Sequence, residues 1–384
     1  MHTRYFVLVT GILLVACSGA AESPPTALPE PTTPPEPTST PTELVATEIP
    51  PSPSPSPSDT PPATPTQIPT ETPLPIQLNF TWYENNPILE KGASGEWDYW
   101  RVWDGKVVLI DDVYHMFYTG MAEDSVGIGY AVSADGLAYT KHDANPIFQP
   151  DGEGFDAIGF SGVTSLLVED TWMLFYNASA AGERYGWNLP EGSSIGLTTA
   201  ADPTGPWTTG QLVLRAGGNG EWDSGVILPA SVIITEDGYR MYYSAESDPV
   251  DYDYMCGMAT SPDGITWTKY DDPSTTEAPF AESDPVLQPG PSAWDRFGVP
   301  CSSVLKTDTG WEMFYDGWDP NTPCSHGYAS SPDGIHWSKY QDNPILGRER
   351  CPSSAIKVGS TYYLYSHDWD SAGMFAATGT IDQP

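Results

Sequence analysis

From residue 76 onward, apolar positions fall in short runs of Val, Ile, Tyr and Trp, each broken by Gly, Pro or Asp. No stretch sustains helical spacing, so the pattern predicts strands joined by turns. The runs also repeat. An aromatic-Asp pair (Trp97-Asp98, Phe155-Asp156, Trp222-Asp223, Trp294-Asp295) precedes by six residues an apolar strand. A polar turn and an aromatic-rich second strand follow, at 115–118, 173–176, 240–243, 312–315 and 363–365. A third strand with a Gly near its centre or start comes next, at 127–131, 194–197, 256–259, 326–329 and 372–375. Three of these run into Ser-x-Asp-Gly-x-x-aromatic, from Ser133, Ser261 and Ser331, and Asp-Gly between strands is a tight-turn signature. Fourth strands lead to Asn145-Pro146, Asp284-Pro285 and Asn343-Pro344.

The chain enters this repeat out of phase. Trp82-Tyr-Glu-Asn-Asn-Pro87 is a fourth-strand motif with no first three strands before it, and the chain ends after a third strand near Gly379. The first strand of the body should therefore complete the last blade. The expected fold is all-β: a five-bladed β-propeller of four-stranded antiparallel blades, its sheet edges sealed by that N-terminal strand.

Composition divides the chain. Residues 21–75 hold 19 of the 40 prolines, no Lys or Arg and seven acids, in Pro/Thr/Ser repeats. Such a segment buries no core and reads as a semi-rigid spacer. Ahead of it Arg4 and an apolar run from Tyr5 to Ala16 end at Cys17. The run is too short to span a bilayer, and its basic–apolar–small order is that of an export signal. Leu14-Val15-Ala16-Cys17 resembles the bacterial lipobox, which implies cleavage before Cys17 and its lipidation. The expected divisions are thus 1–16 signal, 17–75 spacer and 76–384 propeller. The product would be an exported lipoprotein at the bacterial cell surface, touching membrane through its lipid anchor only and expected to be monomeric. With 15 basic and 51 acidic residues the net charge is −36, which disfavours nucleic acid as a partner.

The Ser-Pro-Asp-Gly-Ile-x-Trp and Asn-Pro-Ile-Leu segments, with the repeat that carries them, resemble the five-bladed propellers of glycoside hydrolase families 43 and 32, over about residues 78–380. That resemblance implies a carbohydrate partner and carboxyl groups at a funnel mouth where the innermost strands begin. Hydrolysis needs two of them: one gives its proton to the leaving oxygen, the other activates water or attacks the anomeric carbon.

Repeats offer an internal control, because what every blade shares is structural and what one blade alters is a candidate for function. Asp98, Asp156, Asp223 and Asp295 are shared and read as turn or capping residues. Six positions later come Asp104, Gly162, Pro229 and Cys301, with Pro352 in the fifth blade. Only Asp104 is charged, and it matches the family's first-blade Asp. The family's second Asp and its Glu have no counterparts at Ser161-Gly162, Leu228-Pro229 or Pro300-Cys301. Substitutes could come from second-strand ends, where Glu246 and Asp316 are acid candidates with His367 and Asp368 nearby. Arg101, Arg184, Arg296 and Arg350 fall in mouth loops, suited to hydroxyls or a carboxylate. Trp100, Trp103, Trp187, Trp318 and Trp369 fall off the repeat and suit sugar stacking. No cofactor is implied; Asp248-x-x-Asp251-x-Asp253 offers weak grounds for Ca²⁺. A propeller that kept the fold and lost its acid, serving as a carbohydrate- or partner-binding module, is the alternative.

Four cysteines remain in an exported body, which favours disulfides. Cys256 and Cys324 stand at or just before third strands, Cys301 and Cys351 at the start of first strands. First and third strands begin on the same face, so the expected bonds are Cys256–Cys301 and Cys324–Cys351, each tying adjacent blades. The competing pairing is Cys301–Cys351 with Cys256–Cys324.

Overall fold

The computed structural model describes residues 76–382, apart from 124, 150, 158, 180–192, 248–252, 293, 320–323, 348–349 and 369–372. The chain opens with β1 (Gln77–Trp82) and the short β2 (Leu89–Glu90). Blade one is β3 (Arg101–Ile110), β4 (Val113–Ala122), β5 (Ser125–Ser133) and β6 (Thr140–Lys141). Blade two is β7 (Gly159–Val168), β8 (Thr171–Ser179), β9 (Ser194–Ala200) and β10 (Gln211–Arg215). Blade three is β11 (Ile227–Thr235), β12 (Gly238–Ala245), β13 (Met255–Ser261), β14 (Thr268–Lys269) and the accessory β15 (Pro285–Leu287). Blade four is β16 (Cys301–Thr307), β17 (Gly310–Gly317), β18 (Ser325–Ser331) and β19 (Ser338–Lys339). Blade five is β20 (Arg350–Val358), β21 (Thr361–Asp368) and β22 (Gly373–Asp382), completed by β1. All pairings are antiparallel, and the first strands β3, β7, β11, β16 and β20 contact one another in a ring around the axis. The chain is thus a five-bladed β-propeller, and its closure is a six-residue ladder from Gln77↔Asp382 to Trp82↔Ala377.

The core lies between blades rather than within them, in five apolar clusters that each join two neighbours. This explains why the second strands are apolar at consecutive positions. Alternate side chains of a strand point to opposite faces, and both faces of β4 are covered: Met116 and Tyr118 pack towards blade five, Phe117 towards blade two.

The shared aspartates have a different role from turn capping. Asp98, Asp223 and Asp295 are buried, and each accepts from a fourth-strand lysine: Lys141 at 2.6 Å, Lys269 at 2.5 Å and Lys339 at 2.7 Å. Tyr118 and Tyr243 donate to the first two carboxylates, both at 3.2 Å. The preceding Trp stacks on the same tyrosine, as Trp97 on Tyr118, Trp222 on Tyr243 and Trp294 on Tyr315. The third-strand glycines follow from this: Gly129, Gly257 and Gly327 pair directly across from these tyrosines, and a Cβ there would lie within 2.3–2.4 Å of the ring. Blade two keeps Asp156 and Tyr176, bonded at 2.7 Å, without the lysine, and burial pushes the Asp156 carboxyl up.

Beyond the fourth strands of blades one, four and five, asparagine amides take over the pairing, and in blades one and four the strand itself is a two-residue stub. Asn145 accepts from the Tyr130 N–H and donates to the Tyr130 carbonyl, both at 2.9 Å, as a strand residue would. Asn343 does the same on Tyr328, and Asn86 on Ala376. In the Asp-Gly turns, Asp135 Oδ1 accepts from the backbone N–H groups of Leu137 and Ala138 while Gly136 takes a left-handed φ of 75°. The same bonds recur at Asp263 and Asp333.

Two expectations follow. Lys269→Met leaves Asp223, which has no solvent exposure, without its cation; removing one partner of a buried pair should cost about 3–5 kcal/mol in urea unfolding. Asp223→Asn in the same chain should restore much of it. Starting the chain at residue 76 rather than 84 retains β1, and the shorter form should melt more than about 5 °C lower. Equal melting temperatures would disprove the closure.

Candidate functional site

The six-residue spacing after each aromatic-Asp pair marks the mouth of the propeller rather than a strand start, since β3, β7 and β11 begin earlier. Each first strand breaks register there with a bulge: between Trp103 and Lys106, Ser161 and Val163, Pro229 and Ser231, Cys301 and Ser303, and Pro352 and Ser354. A bulge adds a residue without a ladder partner and bends the strand. Five at one level open a cavity of about 170 Å³ on the axis. That is small beside the roughly 300–1,000 Å³ of pockets that enclose drug-sized ligands, and it suits one ring rather than a whole oligosaccharide. Asp104, Gly162, Pro229, Cys301 and Pro352 all line it. The positions left without a family carboxyl, Gly162, Pro229 and Cys301, are therefore walls of the cavity.

Asp104 has a left-handed φ of 51°, a conformation Asp tolerates better than most residues. Its side chain is 28 % exposed and its Oδ1 lies 3.8 Å from His367 Nδ1. That nitrogen also faces the Asp104 N–H at 3.5 Å and Ser353 Oγ at 2.9 Å. Ser353, His367 and Asp104 thus converge on one ring nitrogen and do not form a nucleophilic triad, which uses both. Burial lowers the His367 pKa, against the pull of Asp104.

Asp316 ends β17 on the far wall, where its Oδ1 accepts from the Ser325 N–H at 2.9 Å. Burial raises its carboxyl well above the ordinary range, although that N–H and the one from Gly317 oppose the rise. Both disulfides form in the expected pairing, with Cα separations of 5.2 Å for Cys256–Cys301 and 4.4 Å for Cys324–Cys351. Cys301, Cys324 and Cys351 line the cavity, and Asp316 lies against the second bond. Those sulfurs, being bonded to each other, are no ligands for a metal ion.

Glu246 is placed otherwise than an acid needs. It is fully buried and accepts from Tyr254 Oη at 2.8 Å, while Tyr254 is the residue that lines the cavity. Glu246 thus reaches the cavity only through Tyr254. Trp318 lines the cavity; Trp100, 41 % exposed, stands four residues before Asp104, and the Arg101 guanidinium lies 5.1 Å from its ring and 5.0 Å from that of Trp103. Trp103 meets His367 edge-on at 6.0 Å. Arg296 stacks on Phe297 and pairs with Asp319 at 2.9 Å. Arg350 packs on Trp82 and Phe375, bracing blade five. Asp368 ends β21 opposite Arg350 in the ladder. Arg184, Trp187, Trp369, Asp248, Asp251 and Cys17 lie outside the described residues; Asp253 accepts from the Ser247 hydroxyl at 2.8 Å.

Lys106 is the lining residue that the blade comparison overlooked. It is buried, its Nζ donates to the carbonyls of Ser302 and Ser353, and burial lowers its pKa to about 8 against the opposing effect of Asp104. Aligning blades at their bulges sets Lys106 beside Val163, Ser231, Ser303 and Ser354, a second position where blade one alone is charged.

No family model matches the chain, and no curated protein matches it. Solved structures do. A candidate glycosidase from Bacteroides thetaiotaomicron superimposes with a TM-score of 0.60 at 16 % identity, over 78 % of this chain and 96 % of its own. A glycosyl hydrolase from Bacteroides ovatus gives 0.59 at 14 % identity, over 80 % and 96 %. The β-1,2-mannobiose phosphorylase of Listeria innocua, solved with β-1,2-mannobiose, gives 0.55 at 15 % identity, over 79 % and 97 %. At these identities the likeness is one of fold: this chain is a five-bladed propeller of the kind used by glycoside hydrolases.

Asp316 yields a pH-dependent expectation. A carboxyl whose folded pKa lies above its unfolded value of about 3.9 costs stability once the pH exceeds that value. Asp316→Asn should therefore raise the melting temperature at pH 7, and the gain should vanish as the pH falls to about 4. A gain that grows towards acid pH would contradict the raised pKa.

Proposed function

We propose that this chain is an exported, membrane-anchored, glycan-active propeller that hydrolyses a glycosidic bond in its mouth cavity. One observation carries the reading: two carboxyl groups line one cavity in unlike surroundings, Asp316 with its carboxyl pushed well above the ordinary range by burial and Asp104, 28 % exposed, with His367 Nδ1 at 3.8 Å. Opposed environments of this kind separate an acid from a base. Asp316 gives its proton to the glycosidic oxygen as the bond to the anomeric carbon breaks. Asp104 either takes a proton from the water that attacks that carbon or attacks it directly, the ester then being hydrolysed. Trp318 in the cavity and the exposed Trp100, four residues before Asp104, offer aromatic faces for sugar rings. The fold shared with glycosidases and a mannobiose phosphorylase supports a carbohydrate ligand.

The second reading, a propeller that binds glycans without cleaving them, draws on Gly162, Pro229 and Cys301, which line the cavity and bring no carboxyl to it. Screening residues 76–384 against plant and microbial polysaccharides separates the two. If a substrate is cleaved, Asp104→Asn and Asp316→Asn should each lower kcat at least ~10²-fold. Binding without cleavage by the parent chain would favour the second reading.

The address at the N-terminus is tested separately. Cys17→Ser in the full-length chain should abolish acylation and move the protein from the detergent phase to the aqueous phase. Unchanged partitioning would rule out the lipid anchor.

A further inference from the structure

In three blades the residue after the bulge is a serine with a repeated task, and in blade two it is Val163. Ser354 accepts from the Val107 N–H of blade one, Ser231 from the Val304 N–H of blade four, and Ser303 donates to the Ala355 carbonyl of blade five. Short neutral hydroxyls thus stitch the first strands together. In blade one the position belongs to Lys106, which reaches across the axis to two bulge carbonyls. Nothing in the stitching calls for a charge, and burying an ammonium is costly unless its donors and its charge are both met.

They are not both met. An ammonium has three N–H donors, and the Ser302 and Ser353 carbonyls take two. Among the described residues no carboxylate lies within ion-pair distance of Nζ, and Asp104 acts on it only from further away. Lys106 lies between the mouth cavity and a second axial cavity of about 520 Å³ whose other lining is apolar, hydroxyl and aliphatic-ammonium in character. Trp103 Nε1, in the same corner, is a second buried donor without an acceptor. The local charge is also unusual. Around His367 stand Arg101 and Lys106 against Asp104 and Asp368, two cations to two carboxylates. The body beyond residue 75 carries 14 bases (15 less Arg4) against 44 acids (51 less seven).

We propose that the mouth cavity is built for a sugar bearing a carboxylate, a hexuronic acid unit, and that Lys106 receives that carboxylate. The proposal rests on the glycan-active reading and names its substrate class. A carboxylate supplies both things the ammonium lacks, a third acceptor and a counter-charge, where a neutral hydroxyl supplies only the first.

The test uses oligogalacturonate and oligoglucuronate, each paired with its carboxyl-reduced neutral form, and calorimetric titration of residues 76–384. The parent chain should bind at least one acidic oligomer ten-fold or more tighter than its neutral counterpart. Lys106→Met should bring that ratio near one, the acidic form losing at least about ten-fold more affinity than the neutral form. Equal or tighter binding of both neutral forms, or an acidic preference that survives in Lys106→Met, overturns the proposal and leaves the glycan-active reading standing. Binding of none of the four, with the polysaccharide screen also empty, overturns both. Should Lys106→Met not fold, the parent chain's acidic-to-neutral ratio decides by itself.

Discussion

Sheets set around an axis leave two raw edges unless the first and last are joined, and here the join is β1 against β22. Six residues from one end of the body pair with the other end, and the remaining geometry depends on it. Only a closed ring holds β20 against β3, so only a closed ring brings Pro352, Ser353 and His367 of blade five to Asp104 and Lys106 of blade one. The joint is reinforced from several sides: Asn86 bonds the backbone of Ala376, and Arg350 lies over both Trp82 and Phe375. The half of the site that carries the charge thus spans the seam of the ring.

Within the ring, frame and site divide the work between levels. The buried Asp–Tyr–Lys bonds, the Tyr-over-Gly contacts and the Asp-Gly turns recur from blade to blade and hold the sheets. The bulged mouth level varies between blades, as Asp104, Gly162, Pro229, Cys301 and Pro352, and carries a charge only in blade one. Two disulfides bind this level across blade boundaries, Cys256–Cys301 between blades three and four and Cys324–Cys351 between four and five. The stiffest covalent links therefore stand opposite the charged wall of blade one, with Asp316 against one of them. A rigid far wall is a suitable place for a group whose protonation depends on exclusion of water.

Much of the fold was legible in the sequence because each blade answers the same packing problem with the same residue types. The Met-Phe-Tyr strands, the Gly opposite each Tyr and the out-of-phase start at Trp82 follow from neighbours met at fixed register, and the cysteine pairing follows from strand direction. The site was legible in part. Asp104 stands out because no other blade has a charge there. Lys106 was missed because the blade-one bulge spans two residues, Asp104 and Gly105, where the other blades have one, so counting from the aromatic-Asp pair sets it out of line. The surroundings of Glu246 were not legible, because spacing gives a strand end but not its neighbours; Tyr254, eight residues on, donates to the carboxyl. The shared aspartates were recognised as structural without their partners, since the lysines that meet them lie some 40 residues later in the chain.

The asparagines that stand in for strand residues have a chemical consequence. Asn86, Asn145 and Asn343 each hold a neighbouring backbone through both ends of one amide, so conversion of any of them to aspartate would replace a donor with an oxygen facing a carbonyl. The usual route of that ageing reaction begins when the next residue's backbone nitrogen attacks the side-chain carbonyl. In all three cases the next residue is proline, Pro87, Pro146 or Pro344, whose nitrogen carries no hydrogen to lose. The three amides on which the outer edges of blades one, four and five depend are thus shielded from spontaneous deamidation, so the frame can age without losing these pairings.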